Sequence, residues 1–311
     1  MTFRSIAHAA LLAWVVTLAC AAQAQDVSFR ASVVDLSNRR SVQLLYREPI
    51  AQPLRYRVIV IPGSGCTGMG PVANRYFAGL LHAQVVVLHK PGVDANAGLS
   101  PEKCPPDFVQ SDSLSRWLED ARWVLRNDAK ARAAEPPVPQ LLVGISEGAE
   151  LLVKLAAEVP HLAGLVLLSG SGLDPSEAGA LQARRLGQGQ AWQNLAHAQA
   201  ANTPDNRAAE GRSLRYWRDL WAWRQSDALI ASEWPILRVW GDADELVPQL
   251  AYDTFTQRAQ TRAAPLCSRA LPGADHGLQA GARDGVQLVW VWLERWGRKA
   301  TGNLCDAAFP Y

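Results

Sequence analysis

Gly144-Ile145-Ser146-Glu147-Gly148 sets a serine between two glycines, directly after the apolar run Leu141-Leu142-Val143 and before a helix-forming stretch from Ala149 to Glu158. A strand that turns sharply into a helix exposes the serine oxygen at a helix N-terminus, where the backbone dipole favours developing negative charge. Glycines flank such a turn because side chains there would collide. A hydroxyl in that position can attack a carbonyl if a base takes its proton and an acid orients the base. His276, in Gly273-Ala274-Asp275-His276-Gly277, follows the last strand-like run and is the candidate base. The candidate acid is Asp244, in Gly241-Asp242-Ala243-Asp244-Glu245, after the preceding run. Asp242 is assigned to stabilising its own turn, and Asp275 is too close to His276 to face it. His89 follows a strand but precedes the serine, and is expected to line a pocket instead. The Gly-rich segment Pro62-Gly63-Ser64-Gly65-Cys66-Thr67-Gly68 lacks the Lys-Ser/Thr of a phosphate-binding loop. It offers the backbone N–H of Ser64 which, with that of Glu147, is expected to hold an oxyanion.

These residues need a scaffold with several strand ends on one edge. Short apolar, β-branched runs at Tyr56–Ile61, Val85–Leu88, Leu141–Val143, Leu165–Leu168 and Ile236–Trp240, with a further strand at Cys267–Leu271, read as strands of a mostly parallel sheet covered on both faces. Val27–Leu36 and Ser41–Tyr46 read as an N-terminal antiparallel hairpin. Helices lie between the later runs. One begins at Leu114 behind the capping candidates Ser111, Asp112 and Ser113, and another carries Val286, Val289, Trp290, Leu293 and Trp296 and is expected to stop at Gly297. Strand and helix in alternation give a doubly wound α/β sheet. Residues 172–232 break the alternation, are helix-prone and carry no strand signal, and are expected to form a helical cap over the carboxyl edge of the sheet.

The 311 residues suffice for one large domain, and 31 Lys plus Arg against 29 acidic residues leave a net charge of +2. So even a balance gives no electrostatic footprint for nucleic acid or an anionic membrane surface. Twelve tryptophans, about three times ordinary usage, suggest packed apolar surfaces or a lined pocket, and those of the expected cap with Trp240 suggest an apolar acyl or aromatic pocket. Arg4, the apolar run Ile6–Ala22 and Ala22-Gln23-Ala24 form a signal-peptide pattern, so residues 1–24 are expected to be removed and 25–311 to form the domain. Lipid attachment at Cys20 is the alternative. Export to the periplasm or beyond leaves Cys66, Cys104, Cys267 and Cys305 in an oxidising compartment. Pairing Cys66 with Cys104 and Cys267 with Cys305 closes two loops of roughly 40 residues, each stabilising by a few kcal/mol.

In order, Ile61-Pro62-Gly63-Ser64-Gly65, Gly144-Ile145-Ser146-Glu147-Gly148, Gly241-Asp242-Ala243-Asp244-Glu245-Leu246-Val247-Pro248 and Ala274-Asp275-His276-Gly277 resemble the α/β-hydrolase superfamily over residues 27–298. The resemblance implies Ser146 as nucleophile, Asp244 as acid, His276 as base and Ser64 and Glu147 as oxyanion donors. Pro62 stands where many members have His. The resemblance implies acyl transfer to water, with no cofactor or metal, and specifies no substrate; the tryptophan content of the expected cap, with Trp240, favours a small-molecule carboxylic ester over a peptide. A serine peptidase or amidase, and a non-catalytic binding protein on the same fold, are the competing readings.

Overall fold

The computed structural model describes residues 27–36, 40–98, 103–299 and 303–307. The signal-peptide segment and Cys20 lie outside the described residues. The first six strands are β1 (Arg30–Asp35), β2 (Ser41–Arg47), β3 (Tyr56–Ile61), β4 (Ala83–Leu88), β5 (Gln140–Ile145) and β6 (Leu162–Leu168). A two-residue ladder, β7 (Ala208–Ala209) with β8 (Arg212–Ser213), is followed by β9 (Ile236–Gly241) and β10 (Leu266–Leu271), and then by the small ladder of β11 (Gln279–Ala280) with β12 (Arg283–Asp284). Eight of these form one sheet in the order β1-β2-β4-β3-β5-β6-β9-β10. β1 pairs antiparallel with β2 and β2 antiparallel with β4; every other pairing in the sheet is parallel.

The apolar runs are continuous because both faces of the central strands are covered. In β3, Ile59 and Ile61 pack on one side with Leu142, Leu165 and the helix Leu114–Ala131. Val58 and Val60 point the other way, toward Val143, Val166 and the helix Gly285–Arg298. Each such fully buried aliphatic side chain contributes about 1.5–3 kcal/mol relative to exposure. The edge strand β1 is largely exposed and alternates poorly. Ser113 caps the helix at Leu114 by accepting from the Arg116 N–H, whereas Ser111 ends a separate short helix, Pro106–Ser111.

Three local expectations change. First, Gly297 does not stop the helix that carries Val286 to Trp296, which runs from Gly285 through Arg298 and is followed by a short one, Leu304–Ala307. A Cβ on Gly297 would lie 2.5 Å from the Tyr56 ring, so this glycine serves close helix–sheet packing instead. Second, the stretch after Ser146 is not a regular helix: Ser146–Leu151 winds in tight 3-10 turns before a short α segment, Leu152–Leu155. Its first turn is pressed against β3, where a Cβ on Gly148 would sit 2.1 Å from the Ile61 carbonyl oxygen.

Third, the insertion between β6 and β9 is not purely helical. It holds the helices Pro175–Arg185, Gly189–Ala200, Leu214–Ala222 and Ser226–Ala231, but also the β7–β8 ladder, turned at Glu210 (φ 47°) and Gly211 (φ 72°). Two-residue strands have no periodicity to read in a sequence. Both disulfides are present: Cys66–Cys104 and Cys267–Cys305, each spanning 38 residues. Among the described residues no helix is long and apolar enough to cross a membrane.

Replacing Gly297 with Ala should destabilise the fold by about 1–3 kcal/mol, because neither Tyr56 nor the helix can yield without strain. Urea unfolding of the two proteins measures the difference.

Candidate active site

Ser146 follows β5 directly with φ at 51°, in the left-handed region that costs a non-glycine residue on the order of 1–3 kcal/mol. That backbone turns its side chain away from the sheet and toward the loops from β9 and β10. The serine Oγ lies 2.9 Å from His276 Nε2, and His276 Nδ1 lies 2.8 Å from Asp244 Oδ2. With Nδ1–H donating to the carboxylate, Nε2 is left to accept the serine proton. Asp244 Oδ1 accepts the N–H groups of Leu246 at 2.7 Å and Val247 at 3.0 Å. Burial works to raise the Asp244 pKa, but the His276 hydrogen bond and these backbone donors outweigh it and hold the carboxyl below its ordinary value.

The neighbouring acids have other tasks. Asp242 accepts the Gly273 N–H at 2.6 Å, bridging to the histidine loop rather than bracing its own turn. Asp275 accepts the Gln279 N–H at 2.8 Å. Ser169, at the end of β6, was not singled out in the sequence. Its Oγ donates to the His276 carbonyl at 2.6 Å, which fixes the backbone carrying the imidazole.

Ser64 and Glu147 line the same cavity as Ser146 and His276, a space of about 360 Å³. The N–H of Glu147 falls in the first turn after the serine, where helical N–H groups lack an intrahelical acceptor. The segment carrying Ser64 is tied down beyond Pro62 by the Cys66–Cys104 bond and by backbone bonds from Gly68 to Ala97 and Gly70 to Ala95. His89 adds a further tie and does not line the cavity, contrary to expectation. Buried, it accepts the Met69 N–H on Nε2 at 3.0 Å and reaches the Gln43 carbonyl from Nδ1 at 3.1 Å.

No family model matches the chain, and no curated protein matches it in sequence. Solved structures do match it. Est1E from Butyrivibrio proteoclasticus, with ferulic acid bound, has a TM-score of 0.61 at 19% identity, covering 86% of this chain and 98% of that one. Est2, a thermophilic esterase from Thermogutta terrifontis, gives 0.57 at 15%, covering 88% and 93%. Mouse alpha/beta hydrolase domain-containing protein 10 gives 0.56 at 16%, covering 87% and 99%. The chain has the α/β-hydrolase fold.

Within this hydrolase fold, a buried charge cluster joins the serine turn to the insertion. Lys90 Nζ lies 2.5 Å from Glu147 Oε2 and 3.1 Å from Asp112 Oδ1, and 4.6 Å from the centroid of the Trp117 ring. Glu147 Oε1 accepts from the Tyr216 hydroxyl at 2.6 Å. Burial opposes the Glu147 charge, yet Lys90, Arg212 and these hydrogen bonds more than offset it, so its pKa falls below the ordinary value. Sequence reading missed Lys90, because a lone lysine between His89 and Pro91 looks like a solvated loop charge. The tryptophans also read differently once placed. Trp240 stacks on Tyr252 at 4.5 Å, away from the cavity. Trp192 and Trp221 pack together against Trp217, which alone of the described tryptophans lines the cavity.

Replacing Lys90 with Met strands the buried Glu147 carboxylate, and should cost roughly 3–5 kcal/mol, visible as a lowered melting temperature. His89 makes stability fall with acid. Burial lowers its pKa from 6.5 to about 4, so between those values the unfolded chain takes up a proton that the folded one refuses. The contribution is fully present above about pH 6.5 and is lost progressively down to about pH 4, on the order of 3 kcal/mol in all. Urea unfolding of wild type and His89→Gln across that range should show their difference in stability shrinking toward acid.

Proposed function

We propose that the chain is an exported serine hydrolase that cleaves a carboxylic ester through an acyl-enzyme. The continuous hydrogen-bonded path from Ser146 Oγ through His276 to Asp244, opening into a cavity, carries this reading. His276 Nε2 takes the serine proton as Oγ attacks the ester carbonyl, and Asp244 stabilises the imidazolium that forms. The backbone N–H groups of Glu147 and Ser64 receive the oxyanion, a donor typically contributing about 3 kcal/mol to the lowered barrier. His276 returns its proton to the leaving alcohol, then activates the water that releases the acid.

Three of the cavity's lining residues, Leu114, Trp217 and Leu220, offer apolar surface for a small organic group. The insertion stands over the cavity, which favours a small ester over a polypeptide. Residues 1–24 act as the signal peptide in this reading, or Cys20 as a lipid anchor. The two disulfides fit an oxidising compartment.

A fluorophosphonate probe should label the wild-type protein and fail to label Ser146→Ala. Asp244→Asn should lower kcat on a 4-nitrophenyl ester by about 10⁴-fold, with the fold retained. Labelling that survives Ser146→Ala, or preferred cleavage of peptides over esters, would contradict the proposal.

A further inference from the structure

Among the described residues the cavity wall carries one basic side chain besides His276: Arg212, from β8. Its guanidinium is held on two sides. Nη1 is held 2.5 Å from Asp112 Oδ2, and the guanidinium carbon lies 4.6 Å from the centroid of the Tyr216 ring. The Asp112 side chain is 2% exposed and that of Arg212 is 21%, so the arginine is the member of the pair that meets the cavity. Asp112 is its hydrogen-bond partner among the described residues, which leaves Nη2 and Nε as further donors on a planar, pre-oriented fork.

The surrounding charge permits an anion. Lys90 and Arg212 balance Asp112 and Glu147 within the cluster. Glu150 also lines the wall; burial, reinforced by Glu147 and Asp174, raises its pKa well above the ordinary value, and Gln225 Nε2 donates to its Oε2. Glu210, the remaining carboxylate on the wall, is solvent-exposed. Tyr216 connects this guanidinium to the reacting centre, since the ring under Arg212 also donates its hydroxyl to Glu147, the residue after Ser146.

Resting on the ester-hydrolase reading above, we propose that the substrate is an ester carrying a carboxylate apart from the scissile bond, and that Arg212 binds this carboxylate while Ser146 takes the ester carbonyl. The reaction remains simple hydrolysis. Water supplies hydroxyl to the acyl carbon and a proton to the leaving alcohol, and the bound carboxylate is unchanged.

Two pairs of esters test this. Mono-4-nitrophenyl adipate against its methyl-capped diester puts the charge on the acyl side, and 4-carboxyphenyl hexanoate against its methyl ester puts it on the alcohol side. Wild type should favour the charged member of at least one pair by about tenfold or more in kcat/KM, and the pair that responds identifies the side. Arg212→Gln should erase most of that preference, and Arg212→Lys, which keeps a charge against Asp112, should retain an intermediate part of it. Melting curves of all three proteins separate lost recognition from lost folding. No preference in either pair, with the neutral esters turned over, overturns this inference and leaves the hydrolase reading standing, as does an equal fall on charged and neutral members in Arg212→Gln. Failure of wild type to cleave any of the four above the Ser146→Ala background counts instead against the hydrolase reading itself.

Discussion

One imidazole holds three distant pieces of chain together. His276 meets Ser146 across 130 residues of sequence and Asp244 across 32, and both hydrogen bonds require the loops after β5, β9 and β10 to end at the same height. The parallel register of β5 with β6, β6 with β9 and β9 with β10 sets that height. Ser169 then fixes the histidine backbone from the end of β6, between the serine and the acid in the sheet. A strained serine backbone is maintained because this surrounding structure determines it from several directions.

The second organising feature is electrostatic. Two cations and two carboxylates pair next to Ser146, three of them buried and Arg212 partly so, and their desolvation is offset only by close mutual pairing. Each member comes from a different element: Lys90 after β4, Asp112 after the short helix Pro106–Ser111, Glu147 in the serine turn and Arg212 in β8. The sheet, the helix layer and the insertion therefore share one charge balance. A substitution in any of them reaches Glu147, and through its backbone the expected oxyanion site.

Much of this was legible before the structure. The runs Tyr56–Ile61 and Ile236–Trp240 stand out because a strand buried on both faces is mostly apolar, each broken by a single buried arginine, Arg57 and Arg238, and β3 begins and ends where its run does. Ser146, Asp244 and His276 could be picked because each sits just beyond such a run. What stayed hidden depends on contacts between distant segments. Nothing local to Lys90 or Arg212 says that they pair across the core, and nothing local to His89 says that it spaces a loop. Gly297 reads as a helix stop until Tyr56 is seen against it. Tryptophan content could not be divided between pocket and packing, since Trp192, Trp217 and Trp221 form one cluster of which a single ring reaches the cavity.

The insertion is riveted to the body of the protein at widely separated points. Trp223 donates its indole N–H to the Glu150 carbonyl at 3.0 Å, Gln182 donates to the Glu245 carbonyl at 2.7 Å, and the Ser115 N–H reaches Asp219 at 2.5 Å. Together with the Tyr216 contact to Glu147, these bonds tie the insertion to the body at four separate points. The space beneath it is therefore bounded on one side by residues of the insertion, Arg212, Tyr216, Trp217 and Leu220 among them, and on the other by the strand ends that carry Ser146 and His276.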